Sequence, residues 1–422
     1  MHYYRLLLIV FLPVFGCVPV TQQTTTKSPK IIFDDYSYLN NLGLIQIHPK
    51  GQPENSIAVV KSNGSNTILS FDLMENEYRS LTLSMKHCNR TWTPSPLISI
   101  RFLDIYNEFR PSNYYFSANT LLDYTNYEFD LPAPKVSGNY LLTVTDENTG
   151  ELILSRKLLV IDTQTTVQSE IGQNSNINRR QNQEIDFSIK YDSRLNIVPL
   201  RDFFPIVIQN HIWDSQISDL KPNLIRVDEG YVEFDLFNGE NSFPAGNEYR
   251  SFDISSLEFR GMNVELINQT PNQIQAFLSP DKPRPNLAYT QVNQDLNGQF
   301  KIKNSDLMGT KERNQYIQVF FELVQPKLPS SKVFVFGAFN GFIRNRNNQM
   351  FYDETSNSYK ANLQLKQGIY DYMYVTEDDN PYQSIAGNFF QVENLYEVIL
   401  YYRNPLNSFD EIIGYSSILS GD

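Results

Sequence analysis

The chain predicts an all-β protein: tandem immunoglobulin-like and early-set β-sandwich domains behind a lipoprotein signal and a flexible tether. Three observations carry this. Short apolar or alternating runs follow one another along most of the length. Turn signals such as Asn63-Gly64 and Ser137-Gly138-Asn139 separate them. The aromatic residues are dominated by 26 Tyr and 28 Phe, side chains that suit a pleated, half-buried surface. No long amphipathic helix and no solenoid repeat competes with this pattern. At 422 residues the chain exceeds what one core usually supports, so two to four domains are expected.

Residues 1–16 read as a signal peptide, with a short n-region ending in Arg5 and an apolar run from Leu6 to Phe15. That run is about half of the roughly twenty residues a membrane span requires. Val14-Phe15-Gly16-Cys17 resembles a bacterial lipobox, in which the cysteine is diacylated and becomes the new N-terminus, so Cys17 is the expected lipid attachment. Phe15 is bulkier than the Ala, Ser or Thr usual there, and the plainer alternative is an ordinary secretory signal with an incidental cysteine. With Cys17 lipidated, only Cys88 remains, no intramolecular disulfide can form, and stability must come from burial. The net charge is -12, and losing the signal removes Arg5 and no acid. An acidic body argues against nucleic acid and against anionic lipid heads as partners.

Residues 17–30 contain TQQTTTKSPK, polar and without periodicity, which predicts a tether. Residues 31–162 carry the runs Leu44-Ile45-Gln46-Ile47, Ile68-Leu69-Ser70-Phe71, Leu81-Thr82-Leu83, Tyr127-Glu128-Phe129, Tyr140-Leu141-Leu142-Thr143-Val144 and Lys157-Leu158-Leu159-Val160, the spacing of an immunoglobulin-like sandwich. Residues 163–184 are polar and Asn/Gln-rich, a linker or a long hairpin loop. A middle β domain is placed at 185–315, with strands around Phe187, Ile206-Val207-Ile208, Tyr231-Val232-Glu233-Phe234 and Phe300-Lys301-Ile302. An early-set-like sandwich is placed at 316–422, with strands including Val333-Phe334-Val335-Phe336, Tyr370-Asp371-Tyr372-Met373-Tyr374 and Val398-Ile399-Leu400-Tyr401-Tyr402. Its mixture of alternating and continuous apolar runs implies strands buried on one or both faces.

Titratable groups that could carry catalysis are sparse. His48, His87 and His211 are scattered, with no HExxH pair, no GxSxG elbow and no phosphate-cradling glycine loop. In His87-Cys88-Asn89-Arg90-Thr91-Trp92 the neighbouring His and Cys point to opposite faces of a strand. They are read as structural, with Cys88 and Trp92 in the core and His87 hydrogen-bonded near a strand end. Asp34-Asp35 and Asp378-Asp379 could bind calcium or act as glycosidase carboxylates, yet such loop pairs are more often solvated. No catalytic residue, metal site or cofactor is expected, and the chain is not read as an enzyme.

Two resemblances remain. Val333-Phe334-Val335-Phe336-Gly337-Ala338-Phe339-Asn340-Gly341-Phe342, with Tyr359 to Leu363 and Gly368 to Tyr374, resembles the early-set domain of glycogen-binding modules. Those modules stack sugars on exposed Trp, whereas Phe342 stands where that Trp would follow Asn-Gly. The cluster from His87-Cys88 to Trp92, Ser117-Ala118-Asn119-Thr120 before Tyr124 and Tyr127, Ser137 to Leu142, Gln209-Asn210 with Trp213-Asp214, and Phe243 to Ile254 together resemble the plug protein of the type IX secretion system in Bacteroidetes. That resemblance covers the whole mature chain. It implies a lipid-anchored protein at the periplasmic face of the outer membrane that closes the periplasmic mouth of a large translocon barrel. After Cys17, Val18-Pro19-Val20 lacks the acidic cluster resembling a surface-export signal. The alternative is a glycan-binding lipoprotein of a polysaccharide uptake system, for which Phe339 and Phe342 would be the best platform. The residues that touch a partner are not identified by sequence.

Overall fold

Val398-Ile399-Leu400-Tyr401 has every residue buried, a pattern that a strand adopts when both faces of its sheet are covered. In the computed structural model the described residues are 30–173, 180–195, 197–285, 287–289, 295–307, 311–329, 331–377 and 385–420. Cys17, the tether up to residue 29 and Asp378-Asp379 lie outside them. No helix among the described residues is long and apolar enough to cross a membrane.

The first sandwich faces one sheet, ordered Leu42–Pro49, Thr67–Leu73, Thr125–Leu131, Asn113–Phe116, against another, ordered Tyr36–Ser37, Leu152–Ile161, Gly138–Asp146, Leu81–Cys88, to which Val59–Lys61 adds in parallel. Alternation does the sorting. Leu81, Leu83 and Met85 turn inward to meet Leu69, Phe71 and Leu73 from the opposite sheet, while the residues between them are more exposed.

Beyond residue 162 the sequence-based boundaries do not hold. The segment 163–184 is not a linker, since Thr166–Gln173 pairs antiparallel with Asn182–Lys190 over the full register from Thr166↔Lys190 to Gln173↔Gln183. Only Val167 and Ile171 of that edge strand turn to the core, too few apolar positions to show a period of two. The same sheet continues through Tyr231–Phe234 to Leu224–Arg226, and Ser242–Pro244 pairs with Asn182–Lys190.

The sheet packed on it draws from both later segments, in the order Ile212–Ile217, Phe203–Gln209, Leu395–Tyr402, Glu411–Leu419. Phe203↔Tyr402 through Gln209↔Tyr396 are paired without a break, so the division at 315/316 does not describe the fold. Asn210 and His211 close the first hairpin with φ of 52° and 58°, the left-handed pair that a two-residue turn demands. Conversely, Arg250–Asp253, Val264–Thr270, Gln273–Leu278 and Phe300–Ile302, assigned by sequence to the middle domain, join the C-terminal nine-stranded sheet. That sheet runs from Arg250–Asp253 through Gly368–Thr376, Val333–Phe336, Gln349–Asp353, Ser358–Lys366, Tyr316–Val324 and Gln273–Leu278 to Val264–Thr270. It wraps a core of Phe252, Val319, Phe321, Val335, Tyr370 and Tyr372.

Two kinds of seam join these parts. The seams of the four-stranded sheet are apolar. Val207, Tyr396, Val398 and Leu400 pack with Ile185, Phe187 and Val232 on one face; Ile206, Ile208, Ile399, Tyr401 and Ile412 pack with Cys88, Trp92, Leu141 and Leu159 of the first sandwich on the other. The seam between the first sandwich and the C-terminal sheet is polar. Lys366 Nζ lies 2.8 Å from Asp72 Oδ2, with side chains 2% and 0% exposed. Tyr316 donates its hydroxyl to the same oxygen at 2.5 Å and Asn126 its amide to the other at 2.7 Å, while the ammonium sits 4.1 Å above the Tyr124 ring.

The stretch from Phe243 to Ile254, unusual for a sandwich, is the connector between the second and third layers. Phe243 enters the middle core, Asn247 donates to the Ala386 carbonyl at 2.7 Å, and Arg250–Asp253 adds to the C-terminal sheet. Beside it, Asp295 Oδ2 accepts the Tyr249 amide at 2.6 Å, and buried Asp371 accepts Ser251 Oγ at 2.6 Å and the Leu296 amide. Burial, followed by the charge of Asp371, holds Asp295 above the usual carboxylate range; burial does the same to Asp371.

Two outcomes follow. Removing one partner of a buried, hydrogen-bonded pair leaves an uncompensated charge, at a cost of about 3–5 kcal/mol. Lys366→Met should therefore lower stability in urea titration by about that amount, and adding Asp72→Asn should recover part of it; a wild-type midpoint in the single variant would refute the role of the pair. For Asp295 and Asp371, raised values mean the folded state binds more protons than the unfolded one. Their contribution to stability therefore falls as pH rises from the carboxylate range toward neutrality. The loss of thermal midpoint between about pH 5 and about pH 8 should be smaller in Asp295→Asn than in the wild type.

A candidate partner-binding surface on the first sandwich

His87 and Cys88 leave their strand in opposite directions. Cys88 is buried in the seam with Trp92, Leu141 and Ile399, and burial pushes its thiol up to about 12, which keeps it protonated and unreactive. His87 is enclosed on the other side. Its Nε2 donates to the Ser137 carbonyl at 3.2 Å and its Nδ1 accepts from Ser95 Oγ at 2.7 Å, the only roles open to a carbonyl and a hydroxyl in this neutral tautomer. Burial lowers its pKa to about 4. A Cβ on Gly138, whose φ is +138°, would come within 2.2 Å of that Nε2, which explains the glycine in Ser137-Gly138-Asn139.

The other sequence candidates are spread apart. His48 is buried beside the Pro49 carbonyl. His211 Nδ1 meets the fully buried Glu397 at 2.9 Å, and Tyr415 donates to the second oxygen of Glu397 at 2.7 Å. Asp34 and Asp35 hold Lys157, through its ammonium at 2.6 Å and its backbone amide at 2.7 Å. The aromatic pair that a sugar site would need is turned inward: Phe339 packs on the C-terminal core with its ring edge-on to Tyr370 at 5.7 Å, and Phe342 packs against Phe336 at 5.3 Å. Each ring is half-buried and already engaged with another aromatic ring.

The feature that sequence reading missed is the loop between the strands Leu81–Cys88 and Asn113–Phe116. Ile98, Ile100, Ile105 and Tyr106 are 64%, 75%, 58% and 77% exposed within nine positions. The loop is nonetheless fastened. Phe102 and Leu103 insert into the first core, Asn107 grips the backbone of Met85 through both amide atoms at 2.9 and 2.8 Å, and Phe109 exchanges two backbone hydrogen bonds with Leu83 at 2.8 and 2.9 Å. An apolar tip on a rigid base is preorganised for contact, because little ordering entropy remains to be lost on binding. The signal was in the sequence as the apolar run around Leu97 to Leu103, but a buried strand reads the same way. A second exposed group, Tyr78, Tyr114 and Phe116, is tilted, with interplanar angles of 49° and 83°, and forms no flat platform for a sugar ring.

The division between base and tip is measurable. Phe102→Ala should cost about 3–5 kcal/mol, as for a core aromatic truncation, whereas Ile100→Lys and Tyr106→Lys should leave the unfolding midpoint within about 0.5 kcal/mol of wild type. A large loss of stability in the tip variants would show that the tip is part of the core.

Comparison with known proteins bears on this sandwich above all. The whole fold is similar to the crystal structure of a hypothetical protein from Parabacteroides merdae, with a TM-score of 0.87 at 26% identity, covering 93% of this chain and 100% of that chain. Three N-terminal domains of the highly immunogenic outer capsid protein of bacteriophage RB49 align at 10% identity over 89% of this chain and 96% of that chain, with a TM-score of 0.14. No curated protein matches the chain. Residues 44–162, the sandwich that carries the apolar loop, match the family of the type 9 secretion system plug protein 1st domain, which relates the chain to type IX secretion.

Proposed function

We propose that this chain is a non-enzymatic, lipid-anchored periplasmic protein that binds a large outer-membrane barrel of the type IX secretion system and occludes its periplasmic opening. The observation that carries the reading is that the family match at residues 44–162 coincides with the domain presenting Ile98, Ile100, Ile105 and Tyr106 to solvent. Occlusion requires bulk, a complementary contact and resistance to deformation; it requires no chemistry. Shared apolar seams on both faces of the central sheet supply the stiffness. The apolar loop supplies the contact, since exposed apolar clusters on a rigid base are where hot spots form. A lipid on Cys17 would hold the body near its partner and raise the local concentration, so a modest affinity suffices and release stays possible.

The test is affinity purification of the full chain from detergent-solubilised membranes, with a double variant carrying Ile100→Lys and Tyr106→Lys in parallel. A large outer-membrane barrel should copurify with the wild type and fall by about tenfold or more in the double variant, the equivalent of about 1.4 kcal/mol. Recovery of only polysaccharide-uptake proteins, or no barrel at all, would refute the assignment. Equal recovery with the double variant would place the contact elsewhere and remove the loop from it.

A further inference from the structure

In the middle sandwich three carboxylates converge. Glu184 and Asp186 stand two residues apart on the strand Asn182–Lys190 and so share a face. Phe187 pairs with Phe234, the last residue of the strand Tyr231–Phe234, which brings Asp235, just past that strand, alongside Asp186. One oxygen from each of Glu184, Asp186 and Asp235 lies within 4.8 Å of the others. Like charges directly opposed across a sheet are destabilising, and no Lys or Arg pairs with any of the three among the described residues.

A second observation points to a ligand. Glu184 is only 5% exposed, and its Oε2 is buried without a hydrogen-bond partner. Asn241 is fully buried; its Nδ2 donates to Asp186 Oδ1 and to the Ile185 carbonyl, both at 2.9 Å, and its own Oδ1 also has no partner. A dehydrated carboxylate oxygen of Glu184 is thus left unsatisfied within the acidic cluster, and the Asn241 carboxamide that touches Asp186 leaves its own buried oxygen unsatisfied as well, which is costly unless something positive supplies a partner.

We propose that Glu184, Asp186 and Asp235, with the carboxamide of Asn241, form a binding site for a calcium ion. The donor set is all oxygen, with no imidazole or thiolate, which selects hard cations over zinc. Side chains brought from a strand and from the segment 235–241 suit the loose coordination of calcium better than the near-ideal octahedron of magnesium. The ion would tie the segment 235–241 to the hairpin that carries Glu184, bracing the outer layer of the middle sandwich.

Calorimetric titration of the chelator-treated full chain with calcium chloride tests this, with Asp235→Asn as the control because Asp235 is only partly buried and its replacement spares the core. Wild type should bind one calcium per chain and gain a few degrees of thermal midpoint at about 5 mM calcium, with a weaker response to magnesium. Asp235→Asn should melt as a folded protein in chelator and lose binding by about tenfold or more. Absence of calcium binding by the wild type, or equal binding by the variant, would overturn the proposal.

Discussion

The structure depends on one four-stranded sheet whose two central strands are covered on both faces. Phe203–Gln209 and Leu395–Tyr402 meet at its centre from opposite ends of the chain's second half. Their side chains supply the middle core on one side and the seam with the first sandwich on the other. Separating the first sandwich from the middle one would expose Ile206, Ile208, Ile399 and Tyr401 together with Trp92 and Leu141. Interfaces between domains that move are usually smaller and more polar. Here a seam has the composition of a core, and the consequence is a body that resists bending.

Apolar seams alone permit slippage, since the hydrophobic effect has no direction. The two seams of the first sandwich each also contain a buried acid with a partner from another segment. Asp72 takes Lys366 and Tyr316. Asp410, fully buried, accepts the Arg90 backbone amide at 3.0 Å and Arg403 Nε at 2.7 Å, and Arg90 also lies 3.9 Å over the Phe204 ring. Tyr401 donates to Asn139 at 2.7 Å across the same seam. A buried carboxylate with directional partners tolerates one register only, because a shift leaves it unpaired at high cost. Burial therefore supplies the adhesion, and these acids fix the alignment.

This division explains what was legible in the sequence. The all-β class, the first sandwich and the opposed placement of His87 and Cys88 follow from local periodicity, which depends on side-chain alternation within one strand. The domain boundaries after residue 162 do not, because strand partners are chosen by which surfaces need covering, and the partners of Phe203–Gln209 lie about 190 residues away. Thr166–Gln173 was hidden because an edge strand with one covered face can be almost wholly polar. The cluster of Glu184, Asp186 and Asp235 was hidden for a related reason: its third member arrives only through the pairing of Phe187 with Phe234. The apolar loop was hidden in the opposite sense, as residues that look like core in the sequence and stand in solvent in the fold.

Placement of that loop on the first sandwich matters for an occluding protein. The chain enters this sandwich directly from the predicted tether, and the residues from Lys30 onward lead into the edge strand Tyr36–Ser37, which pairs with Leu152–Ile161. On the proposal that Cys17 carries a lipid, the span from residue 17 to residue 30 would reach at most roughly 3.3–3.6 Å per residue and would keep the first sandwich within a few tens of ångströms of the membrane. On the proposed function, its exposed isoleucines would then meet a barrel rim at the effective concentrations typical of short linkers. On that proposal a small contact would be enough to hold a stiff body in place, and a small contact would also be one that a passing substrate could displace.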